Sequence, residues 1–261
     1  MRALKLIVVG VGTASLLVAC NGQDASVEKN NALEETEGTA SSEESVKTFV
    51  ASSDTDDDEV EDHSDHPVIQ ASDALESYEA DVTILASIDN NDPERLELYI
   101  RMVNGDSPQL HIRAEDADRT IHTDGKTYHN NGVEWVDITG DVAFEQLHRV
   151  TYKSAADLFV TLEDRLEENE EDGKLIYTYS GNDSDIHTMF EEFVGVSFGV
   201  VDTTDNENEI QIEIDSETMY ITYIDFKSRG EDSQGEFSLE SSVEFLEFDN
   251  VDDIEAPDVS E

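Results

Sequence analysis

RTIHTDGKTYHNNGVEWVDI, Arg119 to Ile138, holds three short β-prone runs separated by Asp124-Gly125 and Asn131-Gly132. Asp-Gly and Asn-Gly are strong hairpin signals, because the favoured two-residue turn needs positive φ at both central positions. The stretch therefore reads as three antiparallel strands. Tyr128 and Trp135 are expected in the core or a cavity wall. His111, His122 and His129 are expected on the outward, polar face.

The same alternation extends upstream. Val82, Ile84, Ala86 and Ile88 share one strand face, as do Leu96, Leu98, Ile100 and Met102, with Leu110, Ile112 and Ala114 following. Ala71 to Tyr78 reads as a short helical lead-in capped by Ser72. Downstream, helices interrupt the sheet. Asp141 caps a turn or two through Phe144 and Leu147. Ser154-Ala155-Ala156-Asp157 resembles a capping box opening a helix with Leu158, Phe159, Leu162 and Leu166 in one stripe. After a strand at 174–179, residues 183–194 carry Ile186, Met189, Phe190, Phe193 and Val194 at helical spacing. Two strands around 209–226 follow, in which Ile210, Ile212 and Ile214 alternate with acidic and amide residues. A last strand holds Phe237, Leu239, Val243 and Phe245. The expected class is α+β: a curved antiparallel sheet of about eight to eleven strands, with amphipathic helices on one face and the other face polar.

Before the domain, Arg2 and Lys5 are followed by an uncharged stretch from Leu6 to Ala19, the layout of a secretory signal peptide too short to span a bilayer comfortably. It ends Leu17-Val18-Ala19-Cys20, which resembles a bacterial lipobox. The resemblance implies cleavage after Ala19 and lipidation of Cys20 with diacylglycerol and fatty acyl chains such as palmitate. Cys20 is the one cysteine, so no intramolecular disulfide framework and no cysteine-based zinc site is available. Each buried acyl methylene contributes roughly 0.8 kcal/mol, so two or three chains hold firmly.

Without Arg2 and Lys5 the chain carries 13 basic against 64 acidic residues. Such a surface repels nucleic acid and anionic headgroups. Salt at 1 M screens charge over roughly 3 Å, so the composition reads as a halophile or marine signature. Residues 20–67 are rich in acid and poor in apolar side chains, and are expected to form a disordered tether with a reach of roughly 35 to 40 Å or more. The expected organisation is a signal peptide at 1–19, the tether at 20–67, one folded domain at 68–258 and a tail at 259–261. About 190 residues is enough for a substantial core.

The lipobox, the tether, SYEADVTI, DGKTYHNNGVEWVDI, IDSETMYITYIDF and EFLEFDNVDDIEAPD resemble a group of uncharacterised bacterial lipoproteins similar to the LolA, LppX and LprG-like superfamily. The similarity runs from about Ala71 to Asp258. It implies a half-barrel of antiparallel strands, helices over the concave mouth, and an apolar cavity between them that carries lipid in better-known relatives. The superfamily binds through general apolar lining, so no ligand-contacting residue carries over. The strong acidity and long tether depart from the transport members.

Candidate chemistry is thin. Gly195-Val196-Ser197-Phe198-Gly199 matches the G-x-S-x-G elbow of hydrolases, which needs a strand before the serine and a helix after it. Here a helix precedes, and no histidine lies beyond His187 to follow the nucleophile. Asp54 to Glu59 hints at a calcium loop, but the sixth and twelfth positions are Glu59 and Asp65 rather than glycine and glutamate. His63 and His66 could add weak zinc binding. No dedicated metal or cofactor is expected, and no enzyme activity.

The leading expectation is a monomeric, lipid-anchored cell-envelope protein on the extracytoplasmic face of the membrane, holding a hydrophobic ligand such as a lipid. Its partners would be the bilayer, through acylated Cys20, and that ligand. Expected lining residues are Trp135, Leu158, Leu162, Ile186, Met189, Phe190 and Phe193. The stripe Ile186 to Val194 reads either as plain core or as a lid. The alternatives are a non-enzymatic interaction or sensor scaffold and, remotely, a hydrolase.

Overall fold

The computed structural model describes residues 7–8, 63–88, 91–198, 202–231 and 235–259. Cys20 and nearly all of the expected tether lie outside the described residues. Ile7–Val8 (β1) pairs antiparallel with Val196–Ser197 (β10).

The main sheet has 11 strands: β2 (Ser77–Ile88), β3 (Glu94–Val103), β4 (Gln109–Ala114), β5 (Ala117–Thr123), β6 (Lys126–Asn130), β7 (Trp135–Asp137), β8 (Glu167–Glu171), β9 (Lys174–Gly181), β11 (Glu207–Asp215), β12 (Ile221–Glu231) and β13 (Glu236–Leu246). Their order is β7-β6-β5-β4-β3-β2-β13-β12-β11-β9-β8, so the sheet is open and the first and last long strands lie together at its centre. Every neighbouring pair is antiparallel. Register shifts at Glu213/Ile214 and Ile112/Arg113 interrupt the ladders, and such bulges bend a strand and increase its twist. The result is the α+β half-barrel architecture expected from the sequence.

Register explains the core. Ala80, Val82 and Ile84 face Ile100, Leu98 and Leu96 on one side, and Phe245, Val243 and Ser241 on the other. Ile210, Ile212 and Ile224 continue that face toward Tyr177. Three helices bury their apolar faces in the same cluster: α1 (Pro67–Ala74), α2 (Tyr152–Leu162) and α3 (Ser184–Val194). In α3, Phe190 stacks on Phe226 of β12 with centroids 3.9 Å apart and planes within 3°. Gly195 ends that helix at φ 68°, a left-handed cap that glycine adopts without a Cβ penalty.

Two helix starts lie upstream of their sequence signals. Pro67 opens α1, and His66 caps it: His66 Nδ1 accepts from the Val68 amide at 3.2 Å, while Nε2 donates to Glu163 at 3.0 Å. Thr151 caps α2 in a reciprocal box with Ser154, which puts Ser154 inside the helix rather than at its start.

The other sheet face is not uniformly polar. Register places His122 opposite Leu110, and His129 opposite Thr120, on the core side. Ile121 and Tyr128 consequently turn outward, where both are buried. The C-terminal segment crosses this outer side: the Asp252 carbonyl accepts from Arg101 at 3.3 Å, the Ile254 amide donates to Gln109, and Ile254 is itself buried. Of the three strand histidines, only His111 points out as expected, with Nε2 2.8 Å from Asp118.

Candidate functional site

A cavity of about 530 Å³ lies where α1, the turn at Phe144–Gln146 and the first half of α2 meet the sheet. Its deep lining is Leu75, Tyr78, Met102, His148 and Tyr152, all buried. Phe144 is half-buried on one wall, and Asp73, Glu145, Arg149, Lys153 and Asp157 stand exposed around the mouth. This volume falls in the range of small-molecule sites, roughly 300 to 1,000 Å³; Leu75, Tyr78, Met102, Phe144 and Tyr152 make its apolar part, and the rest of the lining is polar or charged.

Each wall is positioned by an identifiable cause. The Leu75 amide bonds back to the Ser72 carbonyl at 3.3 Å, ending α1 and turning the chain into β2. Asn104 Nδ2 donates to the Leu75 carbonyl at 2.8 Å and ties that turn to the end of β3. Tyr78 and Tyr152 form a ladder through the core. The Tyr152 amide donates to the Tyr78 hydroxyl at 3.1 Å, and the Ile221 amide donates to the Tyr152 hydroxyl at 2.7 Å. Their rings pack on Phe245 at 5.8 and 5.0 Å. Burial pushes the Tyr78 hydroxyl up to about 12, partly opposed by the bond from Tyr152, and it raises Tyr152 as well. Both phenols stay neutral over the physiological range.

His148 differs from these groups. It is 4% exposed, and neither ring nitrogen has a hydrogen-bond partner among the described residues. Burial holds it down at about 4, so at neutral pH it is an uncharged imidazole with one donor and one acceptor nitrogen. Around the mouth three carboxylates face two cations. Lys153 Nζ lies 3.6 Å from Asp157, and Arg149 makes no ion pair among the described residues.

The residues expected as lining lie elsewhere. Leu158, Leu162, Ile186, Phe190 and Phe193 are buried in the core, Met189 is half-buried against it, and Trp135 is half-buried on the edge strand β7. None of them lines this cavity. The α3 residues pack together against β12, whereas Trp135 belongs to the opposite wing of the sheet.

A second polar cluster sits beneath α3. His187 Nδ1 lies 2.8 Å from Ser228 Oγ, and Asn206 Nδ2 donates to Ser228 at 3.1 Å and to Asn208 at 3.0 Å. His187 Nε2 is 3.8 Å from Glu191. Serine, histidine and carboxylate are thus adjacent, but His187 and Ser228 are both 0% exposed, and neither lines the cavities at Tyr78–Tyr152 or beside Ser197. No substrate atom can reach the hydroxyl in this arrangement, so the cluster fastens α3 to β12. Ser197 itself is exposed, just beyond a helix and Gly195, which is not the strand–serine–helix elbow of the G-x-S-x-G hydrolases. Among the described residues no group of three or more histidine, cysteine or acidic side chains could hold a metal ion.

Sequence reasoning missed His148 and His187. The signal for His187 was its spacing, three and seven residues before Phe190 and Val194, on the buried face. His148 was bracketed by Leu147 and Val150, both buried, but no local periodicity marks a connecting loop.

No known protein family matches this sequence, and no curated protein does. Among solved structures the chain is similar to LprF from Mycobacterium bovis, with 10% identity, a TM-score of 0.38, and coverage of 72% of this chain and 92% of that one. It is also similar to a LolA superfamily protein from Nitrosomonas europaea, with 9% identity, a TM-score of 0.27, and coverage of 72% and 93%. A third is a DUF1329 family protein from Desulfovibrio piger, with 8% identity, a TM-score of 0.24, and coverage of 70% and 89%.

Proposed function

We propose that this protein is a lipid-anchored binding protein of the cell envelope, without catalytic activity, that holds an apolar ligand such as a lipid between its sheet and its helices. The observation that carries the reading is the 530 Å³ cavity floored by Leu75, Tyr78, Met102 and Tyr152. Each methylene leaving water for such a lining contributes about 0.8 kcal/mol. Support for the anchor comes from the sequence, in the charged start, the apolar stretch and Leu17-Val18-Ala19-Cys20. Among the described residues no helix is long and apolar enough to cross a membrane. The polypeptide is held on the outer face, as a monomer, by acylated Cys20.

Native mass spectrometry of the gently purified chain tests the ligand. A co-purifying amphiphile, lost on organic extraction and regained on adding a fatty-acyl probe, is the expected result. A bare mass with no uptake of the probe would leave the domain as an interaction scaffold.

A further inference from the structure

His148 distinguishes the cavity from a plain apolar slot. The other buried polar atoms of the lining are engaged: the Tyr78 hydroxyl by the Tyr152 amide, and the Tyr152 hydroxyl by the Ile221 amide. His148 lines the same space, 4% exposed, with both ring nitrogens unpartnered among the described residues. Leaving a buried donor or acceptor unmade costs roughly 1–3 kcal/mol, and a core position could hold an apolar residue without that cost.

The charges around it select the complement. Asp73 faces the cavity from α1, Glu145 from the turn before His148, and Arg149, Lys153 and Asp157 from the start of α2. Lys153 is already close to Asp157. An anionic head would meet three carboxylates and two cations on a chain of net charge −49. A neutral imidazole offers one donor and one acceptor, which a hydroxyl matches in kind. We infer that the ligand is an uncharged amphiphile bearing a hydroxyl, of the monoacylglycerol or long-chain alcohol class. Its chain lies along Leu75, Met102 and Tyr152, and its hydroxyl bonds His148 once the imidazole, whose ring nitrogens are both buried in this structure, turns toward the cavity. This inference rests on the proposed function and assigns the ligand's polar end.

The test uses the full chain, freed of non-covalent lipid and labelled with ¹⁵N-histidine, titrated with monooleoylglycerol, methyl oleate and oleate. Monooleoylglycerol should bind about tenfold tighter than methyl oleate, the upper end of one net hydrogen bond, and should move the ¹⁵N resonances of the His148 ring. His148→Phe should remove that preference, so that monooleoylglycerol binds no tighter than methyl oleate. His148→Gln, which keeps a donor and an acceptor, should retain most of it. The label on the unmutated chain keeps the test valid even if a variant fails to fold. Unmoved His148 resonances, or oleate as the tightest ligand, would overturn the inference. Methyl oleate binding as tightly as monooleoylglycerol would sink this inference alone, and binding of none of the three would sink the proposed function with it.

Discussion

Acid should destabilise this protein through His148 before it does so through the carboxylates, and the size of the effect follows from burial. Folding holds the imidazole at about 4 against an ordinary value of 6.5. The unfolded chain therefore binds more protons than the native one between those limits, and stability rises with pH across that window. The contribution is lost progressively as pH falls from about 6.5 toward 4, and amounts in full to about 3 kcal/mol. His122 and His129 are also held low by burial and act in the same direction, so the informative quantity is a difference. Asp137, Asp202 and Asp215 are held below the usual carboxylate range, chiefly by bonds to Thr139, Thr204 and Thr218, and their contributions are lost only at lower pH. Urea unfolding of the native chain and of His148→Phe, at several pH values from 7 down to 4.5, measures the effect by linear extrapolation. The native chain should lose at least 2 kcal/mol more than the variant over that span, roughly the share of the total expected before titration is complete. Parallel pH profiles would refute the reasoning, because they would mean that His148 titrates alike in both states.

Tyr152→Phe removes the acceptor of the buried Ile221 amide, and should cost roughly 1–3 kcal/mol in the same unfolding assay. Phe190→Ala deletes the ring stacked on Phe226 and should cost about 3–5 kcal/mol, seen as a lower denaturation midpoint with an unchanged slope. Cys20→Ala should abolish incorporation of radiolabelled palmitate and release the chain from the membrane fraction or leave its leader uncleaved.

Much of the fold was legible because burial on one side imposes a period of two on strands and 3.6 on helices. Ile210, Ile212 and Ile214 announce β11 in this way, and Ile186, Phe190 and Phe193 announce α3. β8 carries no such signal. Its residues, Glu-Glu-Asn-Glu-Glu, are all exposed on an edge strand, so nothing selects one face over the other. The trace it left was Asp172-Gly173, whose φ values of 51° and 81° make the turn into β9. Tyr128, with its neighbour across the ladder Ile121, departs from the inward alternation for a different reason. Apolar side chains mark a buried face, and both residues are buried on the outer side, a second such face that no local pattern announces. The cavity was hidden because it is assembled from distant segments. Leu75 ends a helix, Met102 ends a strand, Phe144 sits in a turn and Tyr152 starts a helix. Each looks like ordinary core in its own window, and only the topology brings them to one space.

Photo-crosslinking with a diazirine-bearing acyl chain, followed by peptide mapping, tests directly where an apolar ligand sits. Adducts are expected on the peptides containing Leu75, Met102, Phe144 and Tyr152, competed away by monooleoylglycerol. Adducts confined to the α3 stripe around Phe190 and Phe193, or an absence of specific adducts, would contradict it.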